Sequence, residues 1–444
     1  MNLIRKTATA LILGTLVLIT SAKADDAQIA SAIEADYDAH LEELFIHFHE
    51  NPELSFLETN TAARMADELR QAGLEVTENV GGTGVVGMVR NGDGPLILLR
   101  ADMDGLPIEE KSGLEYASSA TQVGQDGVEY PVMHACGHDV HITSMVGTAR
   151  RLMASRDAWS GTLMFVVQPA EERVGGAKAM IEDGLYERFG KPDYALAFHV
   201  ASGIPTGVVT ASEGIQYSSA DSVDIMVPGI GAHGASPHAG RDPVYIGSQI
   251  VTALQSIISR EVMPLSPSVI TVGAFHAGSK HNIISDRADL QLTVRANDER
   301  VREQVLAAIE RVAVNVGRAH GLPEDMLPQV TVSEGTPVTY NDPQLARRLN
   351  GVMRETFGED ATPPFEQRGM GAEDFAYFVS EDTGVPGYYF AVGGTPQAAF
   401  DAAADGGPAV PSHHSPLFKI APRESVTVGT RAMIAAVMEL APSS

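Results

Sequence analysis

An α/β domain interrupted by an inserted α+β unit is the fold class this chain implies. Strand-length apolar runs alternate with amphipathic helical segments through the first half, the pattern of a parallel sheet with helices on both faces. The middle third reads strand, helix, strand, strand, helix, strand, the order of a ferredoxin-like unit that folds as its own small domain. After Thr336 the earlier alternation resumes. A length of 444 residues suits two or three domains. With 44% hydrophobic and 20% charged residues, a packed interior is expected rather than disorder.

Taken in order, 29–50 reads as an amphipathic helix stopped by Asn51-Pro52, and 59–73 as a second helix. Glycines separate the strand-like runs 75–80, 84–91 and 95–101. A helix at 142–154, a strand at 161–167, a helix at 176–184 and a strand at 194–199 follow. The inserted unit is expected over 218–333, with strands at 222–227, 268–275, 288–296 and 329–333. Its helices, 243–259 and 299–320, start beside the capping residues Asp242 and Asp298. A helix at 343–357, a strand at 388–392 and a helix at 424–440 complete the first domain, which is therefore discontinuous: 25–217 and 334–444. The stretch 396–411, rich in Ala, Gly, Asp and Pro, reads as a surface loop.

At the N-terminus, Arg5 and Lys6 precede an apolar stretch over 8–19 and the small-residue step Ala22-Lys23-Ala24. This is the pattern of an export signal, 1–24, cleaved near Ala24, and the apolar stretch is too short to span a membrane comfortably. A periplasmic or extracellular location is the resulting expectation. Cys136 is the only cysteine, so such a protein would be held by its core rather than by disulfides, and the lone thiol would be buried or have a task. Acidic residues outnumber basic ones 57 to 31, a net charge of -26. That surface repels phosphate backbones and anionic lipid, so neither nucleic acid nor, after cleavage, a membrane is an expected partner.

Polar residues at the ends of apolar strands carry the chemistry, because ligands bind at the carboxyl ends of strands in open α/β sheets. Asp102 and Asp104 follow one strand, Glu171 and Glu172 another, and His199 ends a third. The string from Met133 to His141 packs His134, Cys136, His138, Asp139 and His141 ahead of a helix, and His413-His414 lies near the C-terminus. Thiolate, imidazole and carboxylate together form the ligand set of divalent metals such as zinc. Singly these signals are weak: adjacent glutamates are usually solvated charge, and a lone histidine is usually a core residue. Their convergence is what points to a metal. One glutamate of the pair can ligate while its neighbour takes a proton from activated water. A thiol hydrolase built on Cys136 and a histidine base is the competing reading, but it leaves the glutamate pair, His199 and His414 without a role.

The strings Met133-His134-Ala135-Cys136-Gly137-His138-Asp139-Val140-His141 and Arg100-Ala101-Asp102-Met103-Asp104-Gly105-Leu106-Pro107 resemble the aminoacylase and hippurate hydrolase family of metal-dependent amidohydrolases. The likeness continues through Gln168-Pro169-Ala170-Glu171-Glu172, His233-Gly234-Ala235-Ser236-Pro237-His238, Gly371-Ala372-Glu373-Asp374-Phe375 and His414-Ser415-Pro416. The resemblance implies a large zinc-peptidase-like catalytic domain, with the inserted unit serving as lid and dimerisation domain of a homodimer. It further implies two divalent ions per chain, zinc or manganese, with cobalt or nickel as alternatives. Cys136 would bridge them, with His138, Glu172, His199 and His414 as the other ligands; His414 is preferred to His413 because it directly precedes the Ser-Pro step. Glu171 would be the general base and Asp104 would orient a ligand from behind. His233 would reach a partner subunit's site to steady the oxyanion, and Asn282, Arg295 and Glu373 would contact substrate. The implied reaction is amide hydrolysis of small N-acyl amino acids or dipeptide-like compounds. A dipeptidase or carboxypeptidase of the same fold, or a non-catalytic binding protein, is the alternative. The acyl group, the preferred amino acid and the metal are left open.

Overall fold

The computed structural model describes residues 26–443; the expected signal, 1–24, lies outside them. A helix over 26–50 (α1), with a π-helical turn at Tyr37–Leu41, is followed by α2 (Thr59–Gln71), β1 (Glu75–Val80), β2 (Gly84–Asn91) and β3 (Leu96–Asp102). Next come α3 (His138–Ala154), β4 (Gly161–Gln168), α4 (Gly176–Glu182), β5 (Tyr194–Pro205) and β6 (Val209–Thr210). The chain then builds β7 (Ser219–Pro228), α5 (Pro243–Ser256), β8 (Ser268–Ala277), β9 (Arg287–Ala296), α6 (Glu299–Ala319) and β10 (Gln329–Thr336). It closes with α7 (Pro343–Phe357), β11 (Gly387–Thr395) and α8 (Pro422–Leu440).

The large sheet has the order β1-β2-β4-β3-β5-β11-β6. Its centre, β4-β3-β5-β11, is parallel, whereas β1, β2 and β6 run antiparallel to their neighbours. The expected parallel sheet is therefore mixed. Only the turn Gly81-Gly82-Thr83 joins β1 to β2, and so short a link cannot hold a crossover helix. Residues of α1, α2, α3, α7 and α8 form one apolar layer with the sheet. Ala177, Met180, Leu185, Phe375 and Phe378 cover the opposite face. Helices on both faces leave the central strands buried on each side, which is why β3, β4 and β11 read as continuous apolar runs.

A second sheet, order β8-β9-β7-β10 and antiparallel throughout, carries α5 and α6 and has its own apolar core. The Asp242 carboxylate accepts from Val244 N at 2.9 Å, and Asp298 accepts from Val301 N at 3.1 Å, so each helix begins on a side-chain cap. The chain leaves the large domain through Ile215–Tyr217 and returns through Thr339–Tyr340, and these two segments pair with each other. The expected loop at 396–411 is corrected: Gln397–Ala404 is helical, because five alanines in that span favour the helix over the flanking turn residues.

The Asp242 cap offers a direct check of the second core. Asp242→Ala should lower the stability of this unit by about 1 kcal/mol, seen as a reduced urea midpoint with an unchanged slope.

Candidate metal centre

The carboxyl ends of β3 and β4, the middle of β5 and the start of α3 converge on one place. Gly137 begins α3 in the left-handed region, φ +85°. A Cβ there would lie 2.4 Å from Val200 Cγ1, so only glycine lets Cys136 and His138 turn towards β5 together. His199 sits within β5, which runs on to Pro205 rather than ending at the histidine as expected. Glu171 and Glu172 occupy a single 3-10 turn flanked by Ala170 at φ +49° and Val174 at φ +47°. A β-branched residue in that region is strained, and such strain concentrates at functional sites.

Cys136 belongs to two groups of potential ligand atoms. One comprises Cys136, His138 and His199; the other comprises Cys136, Glu172 and His414; within each, the atoms lie within 4.8 Å of one another. Cys136 Sγ is 3.3 Å from His199 Nε2, and His414 Nε2 is 3.4 Å from Glu172 Oε2. His413 points elsewhere: its Nε2 accepts from Ser202 N at 3.2 Å, and its ring lies against His199 and Phe418. His141 is likewise committed, its Nδ1 donating to Asp102 at 2.5 Å and its Nε2 accepting from Val200 N at 2.9 Å.

The electrostatics fit cations. Burial, with the Glu172 and Glu171 carboxylates close by, pushes the Cys136 thiol well above its usual range. Burial and the acids Glu373, Glu172 and Asp374 likewise raise Glu171 well above the carboxylate range. Against its own burial, His138 is raised to about 10 by Asp102 and Asp104. These groups hold protons where positive charge is wanted, and divalent ions would take the protons' place. Among the described residues, His138 Nε2 and Glu172 Oε1 are buried without a partner, the condition expected of ligand atoms.

The cluster is held from behind. Asp104 accepts from Ser55 Oγ at 2.6 Å and from the Glu171 and Glu172 amides at 3.1 Å each, and its carbonyl accepts from His138 Nδ1 at 2.8 Å. The bond at Nδ1 leaves Nε2 of His138 free to ligate. Glu58 accepts from Ala170 N at 2.9 Å. Deeper still, the buried Arg100 meets Asp102 at 2.7 Å, Glu373 at 2.6 Å and Asp374 at 3.4 Å.

A cavity of about 600 Å³ opens over the cluster, with Cys136, Glu171, Glu172, His199, His414 and Arg295 among the residues around it. Arg295 is half-buried, bonds to Thr293 Oγ1 at 3.2 Å, and forms no ion pair among the described residues. Glu373, expected to contact substrate, also borders this space. Its oxygens already accept from Arg100, Tyr389 and Phe375 N, which leaves no free acceptor, so its work is to neutralise and fix Arg100. His233 and Asn282 are not brought to the cluster within one chain. Both lie exposed on the inserted unit, where Gly234 N donates to Asn282 O. Ala235 N donates to His233 Nδ1 at 3.0 Å, which leaves Nε2–H free to donate outward.

Comparison with known proteins decides the family. Residues 98–405 match the model of Peptidase family M20/M25/M40. The chain belongs to this family. It is accordingly a hydrolase of amide or peptide bonds. The M20 chain is 39% identical to a hippurate hydrolase of Campylobacter jejuni over 347 residues, covering 77% of this chain and 86% of that one. It is 37% identical to thermostable carboxypeptidase 2 of Saccharolobus solfataricus over 349 residues, covering 78% and 83%. Its fold matches a crystal structure of a dinuclear metal-binding M20 peptidase from Bacillus subtilis with a TM-score of 0.72 at 27% identity, covering 92% and 98%.

The expected export is not upheld. The segment that carried it lies outside the described residues. No helix among the described residues is long and apolar enough to cross a membrane. Sequence reasoning also missed Glu58 and the joint hold of Arg100 on Glu373 and Asp374. Their partners are far apart in the chain, and no local pattern marks them.

The support from behind is testable in the M20 chain. In Asp104→Asn, one oxygen becomes an NH2 that faces donors it cannot satisfy. Metal affinity should fall about 10–100-fold, measured by titration against a competing chelator; unchanged affinity would remove Asp104 from the centre.

Proposed function

We propose that this M20 chain hydrolyses the amide bond of small N-acyl amino acids or dipeptide-like substrates, using two divalent ions and Glu171 as general base. The membership of Cys136 in two ligand groups, with the Glu171 carboxylate beside them, carries the reading. Cys136 would bridge the ions, with His138 and His199 completing one set and Glu172 and His414 the other. Zinc or manganese suits this mixture of thiolate, imidazole and carboxylate, with cobalt or nickel as alternatives. The names of the hippurate hydrolase and carboxypeptidase relatives support the substrate class, and the dinuclear peptidase supports the metal count. When bound, the ions lower the pKa of the attacking water and polarise the scissile carbonyl.

Glu171 takes the proton of that water and passes it to the leaving amine. Its turn is fixed by Asp104, so the carboxylate needs no rearrangement as charge develops. Arg295, the cation of the cavity without an acidic partner, receives the substrate's α-carboxylate in a two-pronged contact. The inserted unit, residues 218–333, acts as lid and dimer surface, and in a homodimer His233 of the partner subunit donates to the oxyanion, with Asn282 beside it.

Three experiments test these assignments. Elemental analysis of dialysed protein should find two divalent ions per chain, and chelation should abolish hydrolysis of a panel of N-acetyl, N-benzoyl and dipeptide substrates. Glu171→Gln should keep the metal and lose about 10²–10⁴-fold in turnover; activity that survives chelation, or a near-parental Glu171→Gln, would sink the mechanism. For the lid, mixing inactive Glu171→Gln chains with inactive His233→Ala chains should restore partial activity, because one site of the mixed dimer holds both intact groups. Absence of recovery despite proven subunit exchange would place His233 within its own chain or outside catalysis.

A further inference from the structure

Tyr217 lies at the junction of the two domains. It belongs to Ile215–Tyr217, the outgoing crossover, and is paired with Thr339 of the returning one. The next residue, Ser218, donates its amide to Gly371 O at 2.8 Å. The ring stands edge-on to Tyr389 at 5.4 Å between centroids. On its other side is Gly371, where an added Cβ would touch the ring at 3.5 Å. Crossover pairing, a backbone bond and aromatic packing thus fix the phenol's direction.

Tyr217 lines the cavity shared with Cys136, Glu171, Glu172 and His199. Four neighbouring tyrosines use their hydroxyls on protein acceptors: the buried Tyr389 on Glu373 and Tyr388 on Asn350, and the partly buried Tyr377 on Gly335 O and Tyr186 on Phe378 O. The Tyr217 hydroxyl has no such partner among the described residues. Burial, and then the acids nearby, raise its pKa, so the phenol keeps its proton and can donate it in a hydrogen bond. A hydroxyl without a protein acceptor, on a residue that lines a reaction cavity, is available to a ligand oxygen.

We propose that Tyr217 contacts substrate in the reaction, donating a hydrogen bond to the negative oxygen that forms as the amide is attacked. This rests on the amide-hydrolase reading. It differs from the role given to His233, which must travel to the site on a moving domain. Tyr217 sits at the pivot, so its donor is in place before any closure, as preorganised stabilisation requires.

Tyr217→Phe removes the hydroxyl and keeps the ring on Tyr389. With metal content and thermal midpoint matching the parent, kcat for an N-benzoyl amino acid should fall about 10²–10³-fold, as for loss of one oxyanion donor, with little change in KM. Affinity for the corresponding phosphonamidate, a stable tetrahedral mimic, should fall in parallel, while affinity for the product amino acid should not. Parental kcat in Tyr217→Phe beside an inactive Glu171→Gln would overturn the role of Tyr217 and leave the hydrolase reading standing. A loss confined to KM would also overturn it, since the contact would then be made equally in the ground state. A metal-loaded parent that turns over nothing on the substrate panel would overturn the hydrolase reading, and this inference with it.

Discussion

The carboxylate of Asp104 is the interaction on which the rest of the centre depends. It accepts three hydrogen bonds, two from the amides of the Glu171–Glu172 turn and one from Ser55. The carbonyl of the same residue orients His138. Asp104 therefore ties three loops into one rigid unit: the link before α2, the turn after β4 and the start of α3. The strained conformations at Ala170 and Val174 persist because this unit over-determines the turn between them. Were that turn free to relax, the two glutamates would not keep their separate directions.

Beneath this unit the domain keeps an unusual density of buried charge. Arg100, Asp102, Glu373 and Asp374 form a buried group centred on the guanidinium, its acids also accepting from His141, Tyr389, Gln168 and the Ala177 amide. Such a group adds little net stability, since desolvation offsets much of the Coulombic attraction. What it contributes is position: Asp102 is held where it fixes His141, and His141 in turn fixes the backbone of β5 next to His199. The layer above differs in kind, because its acids and thiol are left without cations of their own. Rigid, satisfied charge below and unsatisfied charge above is an arrangement that selects for a bound ion rather than for a side-chain partner.

How far the sequence could be read follows from where each contact lies along the chain. Cys136, Gly137 and His138 are consecutive, as are Glu171 and Glu172, so their chemistry is visible in short strings. The six-element order of the inserted unit was legible because each helix starts on an aspartate cap and its two central strands alternate in burial. The mixed character of the large sheet was not, because apolar runs do not state strand direction. The pairing of Glu373 with Arg100 was not legible for a related reason: the two lie 273 positions apart. Tyr217 carries no local signal at all, since its meaning comes from the pairing of two crossovers over a hundred residues apart.

That pairing also sets the mechanics of the inserted unit. Two strands bonded to each other resist being pulled apart but twist readily, so they act as a torsional axle rather than as two independent tethers. β7 leads away from this axle, from Ser219 beside Ala296 to Pro228 beside Arg287. Ten extended residues make a lever of about 30 Å, so each degree of rotation carries its far end about 0.5 Å. Arg295 is paired with Ala220 next to the axle, so a rotation about it would displace Arg295 little, whereas Ala232–His233, beyond the far end, would sweep the full arc. In the proposed mechanism one rotation would then separate a near-stationary Arg295 from a swinging His233, and the gearing between them would be set by the length of a single strand.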